Sequence, residues 1–335
     1  MIVVRWIKII TVIVLIAVSF ICLALYNYAY SPIDFQYREV TVEIPRGSSF
    51  YQTADILNKA GLIKYKQGFY FLALVTDTLK RIKAGEYDLL SSMTPLDVLG
   101  RLTGGKVKEY QVFIPEGFTL SQIASRLEDQ GLVDRETFMG LASDSSLLSS
   151  LGIEGESAEG YLFPDTHTLN KSMGEEGIIR FMVRQFRNVM TPDMVKRADE
   201  LGLTEGEAVT LASIIEKEGG PQEERSMISA VFHNRLKREM KLQSDPTVIY
   251  GIEDFDGNLR KSDLLKTTPY NTYRIKGLPP GPICNPGREA IEAALYPASV
   301  NFLYFVSKNN GSHHFSSNLK EHNKAVLKYQ IKRKK

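Results

Sequence analysis

The sequence predicts an α+β protein in three parts: an apolar helix long enough to cross a membrane, small strand–helix modules, and a mixed helix-rich region. Three observations carry this. Residues Ile9–Tyr26 hold no charge in 18 positions. A strand–turn–helix segment recurs at a fixed offset of 70 residues. After about residue 156 the texture changes to helical spacing, followed by a stretch rich in Pro, Gly, Tyr and Asn. At 43% hydrophobic and 24% charged, the chain can bury a real core and is not disordered. A net charge of +2 excludes a strongly basic nucleic-acid binder, and two cysteines exclude a disulfide framework.

Residues 1–30 contain Arg5 and Lys8 and no acidic residue, so the whole excess of +2 sits there and the remainder balances to zero. As a helix, Ile9–Tyr26 spans about 27 Å, close to a hydrocarbon core of about 30 Å, and Lys8 can snorkel at its edge. Basic residues ahead of the span place 1–8 in the cytoplasm, 9–27 across the membrane as a single-pass anchor, and everything beyond on the far side. A cleaved signal peptide is the competing reading; it expects a shorter apolar run and an Ala-x-Ala-like site, which Ala24-Leu25-Tyr26 matches poorly. Cys22 in the span and Cys284 far outside it cannot easily pair.

The repeat lays VTVEIPRGSSFYQTADILNKAGLI (40–63) over YQVFIPEGFTLSQIASRLEDQGLV (110–133), with nine identities in the 21 positions from Val42 to Leu62. Each copy reads as an alternating strand, a Pro-x-Gly turn, a Ser or Thr cap, a helix of about 10 residues and a closing Gly. Between the copies, 85–102 gives a short strand, a turn and a helix capped near Thr94-Pro95. Such modules resemble LysM-type domains, which bind wall glycan; that places a LysM-like module at 38–108 and a second strand–helix unit at 109–155. Periodicity fits packing modules equally well.

In residues 156–330, helices are expected at 176–189, 204–218, about 222–239 and 287–296, with a strand at 302–306. A turn-rich stretch as long as 243–287 between helices is unusual unless it lines a site. Helix 204–218 opens on Thr204-Glu205-Gly206-Glu207, a capping box. Its apolar face runs Leu211, Ile214, Ile215, and the next residue on that face is Glu218. Burial and the negative end of the helix dipole both disfavour an anion there, as a general acid near neutral pH requires. An exposed C-terminal Glu is the plainer alternative. Glu216 points roughly the opposite way and reads as a solvated surface charge.

The segments LASIIEKE (211–218), LQSDPTVIYG (242–251), YNTYRIKGLPPGPICNPG (270–287), YFVSKNNGSHHFSSNLKEHNK (304–324) and EGYLFPDT (159–166) together resemble the YceG-like or MltG family of endolytic peptidoglycan transglycosylases. The resemblance implies that 156–330 is the catalytic domain, that the second Glu of the EKE segment, here Glu218, is catalytic, and that no cofactor or metal is used. It implies cleavage of the MurNAc–GlcNAc β-1,4 bond within nascent glycan strands without water, leaving 1,6-anhydro-MurNAc ends. The implied location is the bacterial cytoplasmic membrane, with the catalytic region outside the cytoplasm. Glycan strands are the expected partner and peptidoglycan synthases a further candidate.

Gln243, Asp245, Tyr270, Asn271 and Tyr273 offer amide, carboxylate and aromatic groups suited to sugar hydroxyls, N-acetyl groups and ring faces. Each can equally brace a loop. Tyr250 reads as packing and Asp165 as a helix cap. His313, His314 and His322 match no strong metal spacing. Lys332-Arg333-Lys334-Lys335 reads as a solvated end, with attraction to anionic wall polymer or lipid conceivable. Two other functions fit the same residues: a hydrolytic muramidase pairing Glu218 with Asp245 or Asp165, and a non-catalytic wall-binding scaffold.

Overall fold

The computed structural model describes residues 2–331, with side chains from Val4 onward; the basic tail 332–335 lies outside the described residues. The chain divides into two compact units, one running to Tyr110 and including Thr168–Met173, the other comprising Gln111–His167 and everything from Gly174.

The first unit begins with α1 (Ile2–Tyr30), in which Val4–Tyr30 is long and apolar enough to cross a membrane. These 27 residues extend about 40 Å. Then come β1 (Glu39–Ile44), α2 (Phe50–Lys59), α3 (Lys66–Val75), β2 (Gly85–Leu90) and α4 (Pro95–Gly104). The strands pair antiparallel with Val42 opposite Tyr87 and Val40 opposite Leu89. Alternation therefore sends Val42 and Ile44 to the same side as Tyr87 and Leu89, where all four are buried against Ala54, Leu57 and Phe69. The last turn of α1 joins this core: Ala29 is buried, and the Tyr28 hydroxyl donates to the Tyr65 carbonyl at 2.9 Å.

The second unit carries β3 (Tyr110–Phe113) from its second residue, α5 (Leu120–Asp129), α6 (Arg135–Leu141), α7 (Ser145–Ser150) and the start of β4 (Thr166–Leu169). The recurring sequence folds alike in both places. Ser49 and Thr119 each close a capping box with a Gln three residues on, Gln52 and Gln122. The preceding turns place Gly47 and Gly117 at the same φ of +77°, a left-handed conformation that a side chain would strain. The strand–helix–helix–strand order of the first copy is thus repeated with one helix added.

Next come α8 (Gly174–Val189), α9 (Pro192–Glu200), α10 (Glu205–Glu218), α11 (Gln222–Lys237), α12 (Asp245–Tyr250), α13 (Lys261–Leu265), α14 (Arg288–Leu295), the antiparallel hairpin β5 (Tyr304–Ser307) and β6 (His313–Ser316), and α15 (Leu319–Val326). The stretch 243–287 is therefore interrupted by two short helices, α12 and α13. The predicted capping box of α10 is present between Thr204 and Glu207. This helix is the unit's axis, with Ala208–Ile215 buried on every side and α14 packed along it.

Two sequence readings are overturned here. Glu216 is not a solvated surface charge: its side chain is only 7% exposed, lies 3.3 Å from the Arg225 guanidinium, and accepts the Gly287 N–H at 3.0 Å. Helical spacing says which residues share a face but not how many faces are covered; here α11 and the start of α14 cover a second one. Asp165 caps no helix. It is exposed and accepts the Thr166 N–H at 2.7 Å where β4 begins.

Candidate active site

Glu218 is the last residue of α10. Gly219 ends the helix at φ +69°, ψ −158°, a region essentially closed to residues with a Cβ, and Pro221 leads into α11. The carboxyl group thus sits at the lip of a turn between two core helices, held by rigid elements on both sides. Its one hydrogen bond among the described residues comes from the Ser244 hydroxyl to Oε1 at 2.5 Å. Burial pushes its pKa up to about 7; the Ser244 bond opposes this, the Asp245 charge reinforces it and the Arg235 charge opposes it. The acid therefore keeps its proton far above the ordinary carboxylate range and exchanges it around neutral pH.

Ser244 is itself fixed from below. Its N–H donates to Thr272 Oγ1 at 2.9 Å, its carbonyl accepts from Thr247 Oγ1 at 2.7 Å, and the two threonine hydroxyls bond each other at 2.8 Å. All three residues are buried. Gln243 adopts φ +51°, unusual for a residue with a side chain, and its N–H donates to the Thr272 carbonyl at 3.2 Å. This kink turns Gln243 outward and Ser244 inward; the two are exposed and buried respectively.

The sequence candidates separate into two groups. Asp245 and Tyr273 belong with Glu218: the Tyr273 hydroxyl donates to Asp245 Oδ1 at 2.5 Å, and burial raises the phenol's pKa, as do that bond and the Asp245 and Glu218 charges. Asn271 is fully buried and braces its loop, its amide donating to the carbonyls of Asp263, Leu264 and Lys266 while Oδ1 accepts the Tyr273 N–H at 2.9 Å. Tyr270 packs its ring 4.9 Å from that of Tyr250 and lines a small cavity of about 220 Å³ with Glu156 and Glu159.

Three groups went unnoticed in the sequence. The hydroxyls of Ser244 and Thr272 lie between the residues singled out there, too small and common to stand out. Arg235 left a better signal: Ile228, Val231, Phe232 and Arg235 repeat on α11 the spacing that exposed Glu218, and all four are buried. Its guanidinium donates to the carbonyls of Leu303 at 2.7 Å and Leu242 at 2.6 Å and lies over the Tyr304 ring.

Glu159, in the EGYLFPDT segment, is another buried carboxyl. It accepts the Leu120 N–H at the start of α5 (2.9 and 3.0 Å), the Asn285 amide (2.9 Å) and the Tyr250 hydroxyl (3.2 Å). Burial pushes it up to about 7, against these donors. Asn285 Oδ1 in turn accepts the N–H groups of Gly160 and Leu162. Tyr250, expected as packing alone, thus also anchors this network. The histidines have separate partners: His313 Nδ1 lies 2.9 Å from Glu224, His322 stacks on Tyr304, and His314 packs at a tilt against Tyr329.

Residues 42–328 match the YceG-like family. An endolytic murein transglycosylase of Bacillus subtilis (strain 168) is 34% identical over 307 residues, which cover 87% of this chain and 84% of that protein. One from Streptococcus pneumoniae serotype 2 is 34% identical over 331 residues, covering 89% of this chain but 60% of the longer relative. The crystal structure of a YceG-like protein from Listeria monocytogenes matches with a TM-score of 0.59 at 33% identity, covering 87% of this chain and 100% of that one. The chain belongs to the YceG-like family.

Proposed function

We propose that the chain is an endolytic murein transglycosylase, a lyase of the lytic type, in which Glu218 is the single catalytic acid and base. The observation that carries this is the state of Glu218: one desolvated carboxyl at the end of a core helix, with one hydroxyl donor and a pKa raised to about 7. In its neutral form it protonates the glycosidic oxygen between MurNAc and GlcNAc, and the C1–O bond breaks. The C6 hydroxyl of the same MurNAc then closes on C1, and the carboxylate takes up the proton it loses. Bond, proton and leaving group balance without water, and the product is a 1,6-anhydro end. Acid–base help of this kind contributes about 10²- to 10⁴-fold. Hydrolytic glycosidases usually need a second carboxyl as nucleophile or base. The neighbouring Asp245 has its Oδ1 occupied by the Tyr273 phenol, which supports a single-carboxyl mechanism.

Asp245 and Tyr273, grouped with Glu218, and the exposed Gln243 two residues before Asp245 are the groups that contact sugar, with Tyr270 and Asn271 shaping the loop that carries Tyr273. The strand–helix–helix–strand order of the first unit supports the LysM-like reading. So does a groove of about 820 Å³ lined by Arg46, Tyr51, Gln52, Asp55 and Gln67, with the Tyr51 ring stacked on Tyr70. Here a glycan strand would find an aromatic face among hydrogen-bonding groups. The apolar α1 serves as a retained anchor with its N-terminus in the cytoplasm, supported by Arg5 and Lys8 ahead of the span. The substrate on that far side is nascent glycan, its cleavage ends strand growth, and a synthase is the expected neighbour.

Mass spectrometry of glycan strands treated with the full-length protein tests the reaction. Anhydro ends, one water lighter than reducing ends, are expected; reducing ends alone would assign a hydrolase instead. No new ends of either kind would leave the scaffold reading.

A further inference from the structure

Helix α3 is apolar almost all round, although it lies at the surface. Phe69, Leu72 and Ala73 face the core of the first unit, while Phe71, Leu74 and Val75 on its other side are 56%, 50% and 72% exposed. A surface helix normally turns polar residues outward. The exposure is also local. Among the described residues after α1, eight large exposed hydrophobics fall in residues 31–110, including Phe35 and Tyr37 just past the helix, and six in the remainder.

The apolar face has a neighbour that says what covers it. Phe71 and Val75 form one wall of a groove of about 940 Å³ whose other wall is α1 itself, at Phe20, Ile21 and Leu25. The two helices are fastened together by the Tyr28–Tyr65 hydrogen bond and by close approach at Gly68, where a Cβ would lie 3.1 Å from the Tyr28 ring. Phe20 lies six residues before Tyr26, about 9 Å along the helix. If Tyr26 marks the membrane interface, side chains level with Phe20 sit at the depth of an interfacial amphipathic helix, roughly 5–10 Å into the headgroup and acyl boundary. The flanks are basic: Lys64, Lys80, Arg81 and Lys83 bracket the apolar run and are exposed. That is the charge an anionic leaflet attracts.

We propose that α3 is a second membrane contact, its Phe71–Leu74–Val75 face seated in the outer leaflet beside α1, with phospholipid acyl chains filling the groove and anionic headgroups meeting the basic flanks. This rests on the reading of α1 as a retained anchor. It fixes the first unit against the bilayer rather than leaving it tethered by one helix.

The test uses full-length protein reconstituted into vesicles of phosphatidylcholine and phosphatidylglycerol carrying nitroxide labels on the acyl chain, near its headgroup end in one preparation and near its terminal methyl in another. Trp6 is the only tryptophan, so W6F gives a silent background. Into it go single tryptophans by F71W, by L15W within the span, and by Y296W on the second unit as control. The expected result is quenching at F71W of about twofold or more, as for an interfacial residue, with little at Y296W. Quenching at L15W but not at F71W overturns the seat while sparing the anchor. Absence at both overturns the anchor and the seat with it. Blue-shifted emission at F71W without lipid quenching means that protein, such as a second copy, covers this face, and likewise refutes the inference.

Discussion

Helices α10 and α11 place an ionisable side chain the same way and obtain opposite results. Each presents three apolar residues at i, i+3 and i+4 and a charge at i+7, giving Glu218 on one and Arg235 on the other. Arg235 is met by two backbone carbonyls at 2.6–2.7 Å and by an aromatic ring, so its charge is compensated where it lies. Glu218 receives one hydroxyl, and an acidic neighbour raises its pKa further. A buried charge supplied with partners holds structure together; one left short of them binds a proton near neutral pH and becomes available for chemistry. Glu216, two residues from Glu218 on the same helix, belongs with Arg235: paired to Arg225 and to a backbone N–H, it is structural.

Substitutions can break this contrast, and the largest effect falls on Glu218. In E218Q, release of glycan fragments should drop by about 10²-fold or more while binding and thermal unfolding persist. Unchanged turnover would remove Glu218 from its role. E216Q, by comparison, should keep most of the turnover, since its side chain is turned inward onto the Arg225 guanidinium and the Gly287 N–H.

Arg235 should fail the other way. R235L strands two buried carbonyl groups and is expected to cost about 2–5 kcal/mol, read as a lower urea midpoint with unchanged slope. Stability equal to wild type would mean those carbonyls find other donors and that the compensated-charge description is wrong.

The proton on Glu218 has a stability signature of its own. Burial raises Glu218 and Glu159 to about 7 in the native state. An unfolded Glu titrates near 4.3. Between these values the native chain binds more protons than the unfolded one, so each group's contribution is fully present below about 4.3 and is lost as pH rises through about 7. E218Q should therefore gain on wild type by about 1–3 kcal/mol at pH 8 relative to pH 4, an active-site change that stabilises. A pH-independent difference in urea titrations would show that the carboxyl is not proton-bearing.

Ser244 gives the smallest and sharpest effect. Its hydroxyl stabilises the ionised form, so S244A should move the alkaline limb of the activity profile upward by about one pH unit while leaving appreciable turnover. A downward shift would contradict the direction of that hydrogen bond.

Much of this was legible in the sequence because it is written in short-range patterns. The capping boxes at Ser49, Thr119 and Thr204 formed where Ser or Thr precedes a Glu or Gln by three. The 70-residue repeat gave two segments with the same turn and cap, and the helix expected over 204–218 ends at Glu218, where Gly219 follows. Glu216 shows where such patterns stop: its burial comes from Arg225 and from the start of α14, residues 9 and about 70 positions away. Asn271 shows the same limit, since its type suits a sugar as well as a loop and only the three carbonyls around its amide decide.

The sequence by itself determined the apolar span and the bias of charge ahead of it, the boundaries of the main helices, and the identity of Glu218 as an acid on a core-facing stripe. These depend on residues within one or two turns of each other. Tertiary structure alone decided which buried charges are compensated, because compensation is a matter of donors arriving from elsewhere in the chain. Ser244 comes to Glu218 from 26 residues away and Leu303 to Arg235 from 68. Solvent exclusion, the cause of the raised pKa of Glu218, likewise exists only once α10 is enclosed by other elements.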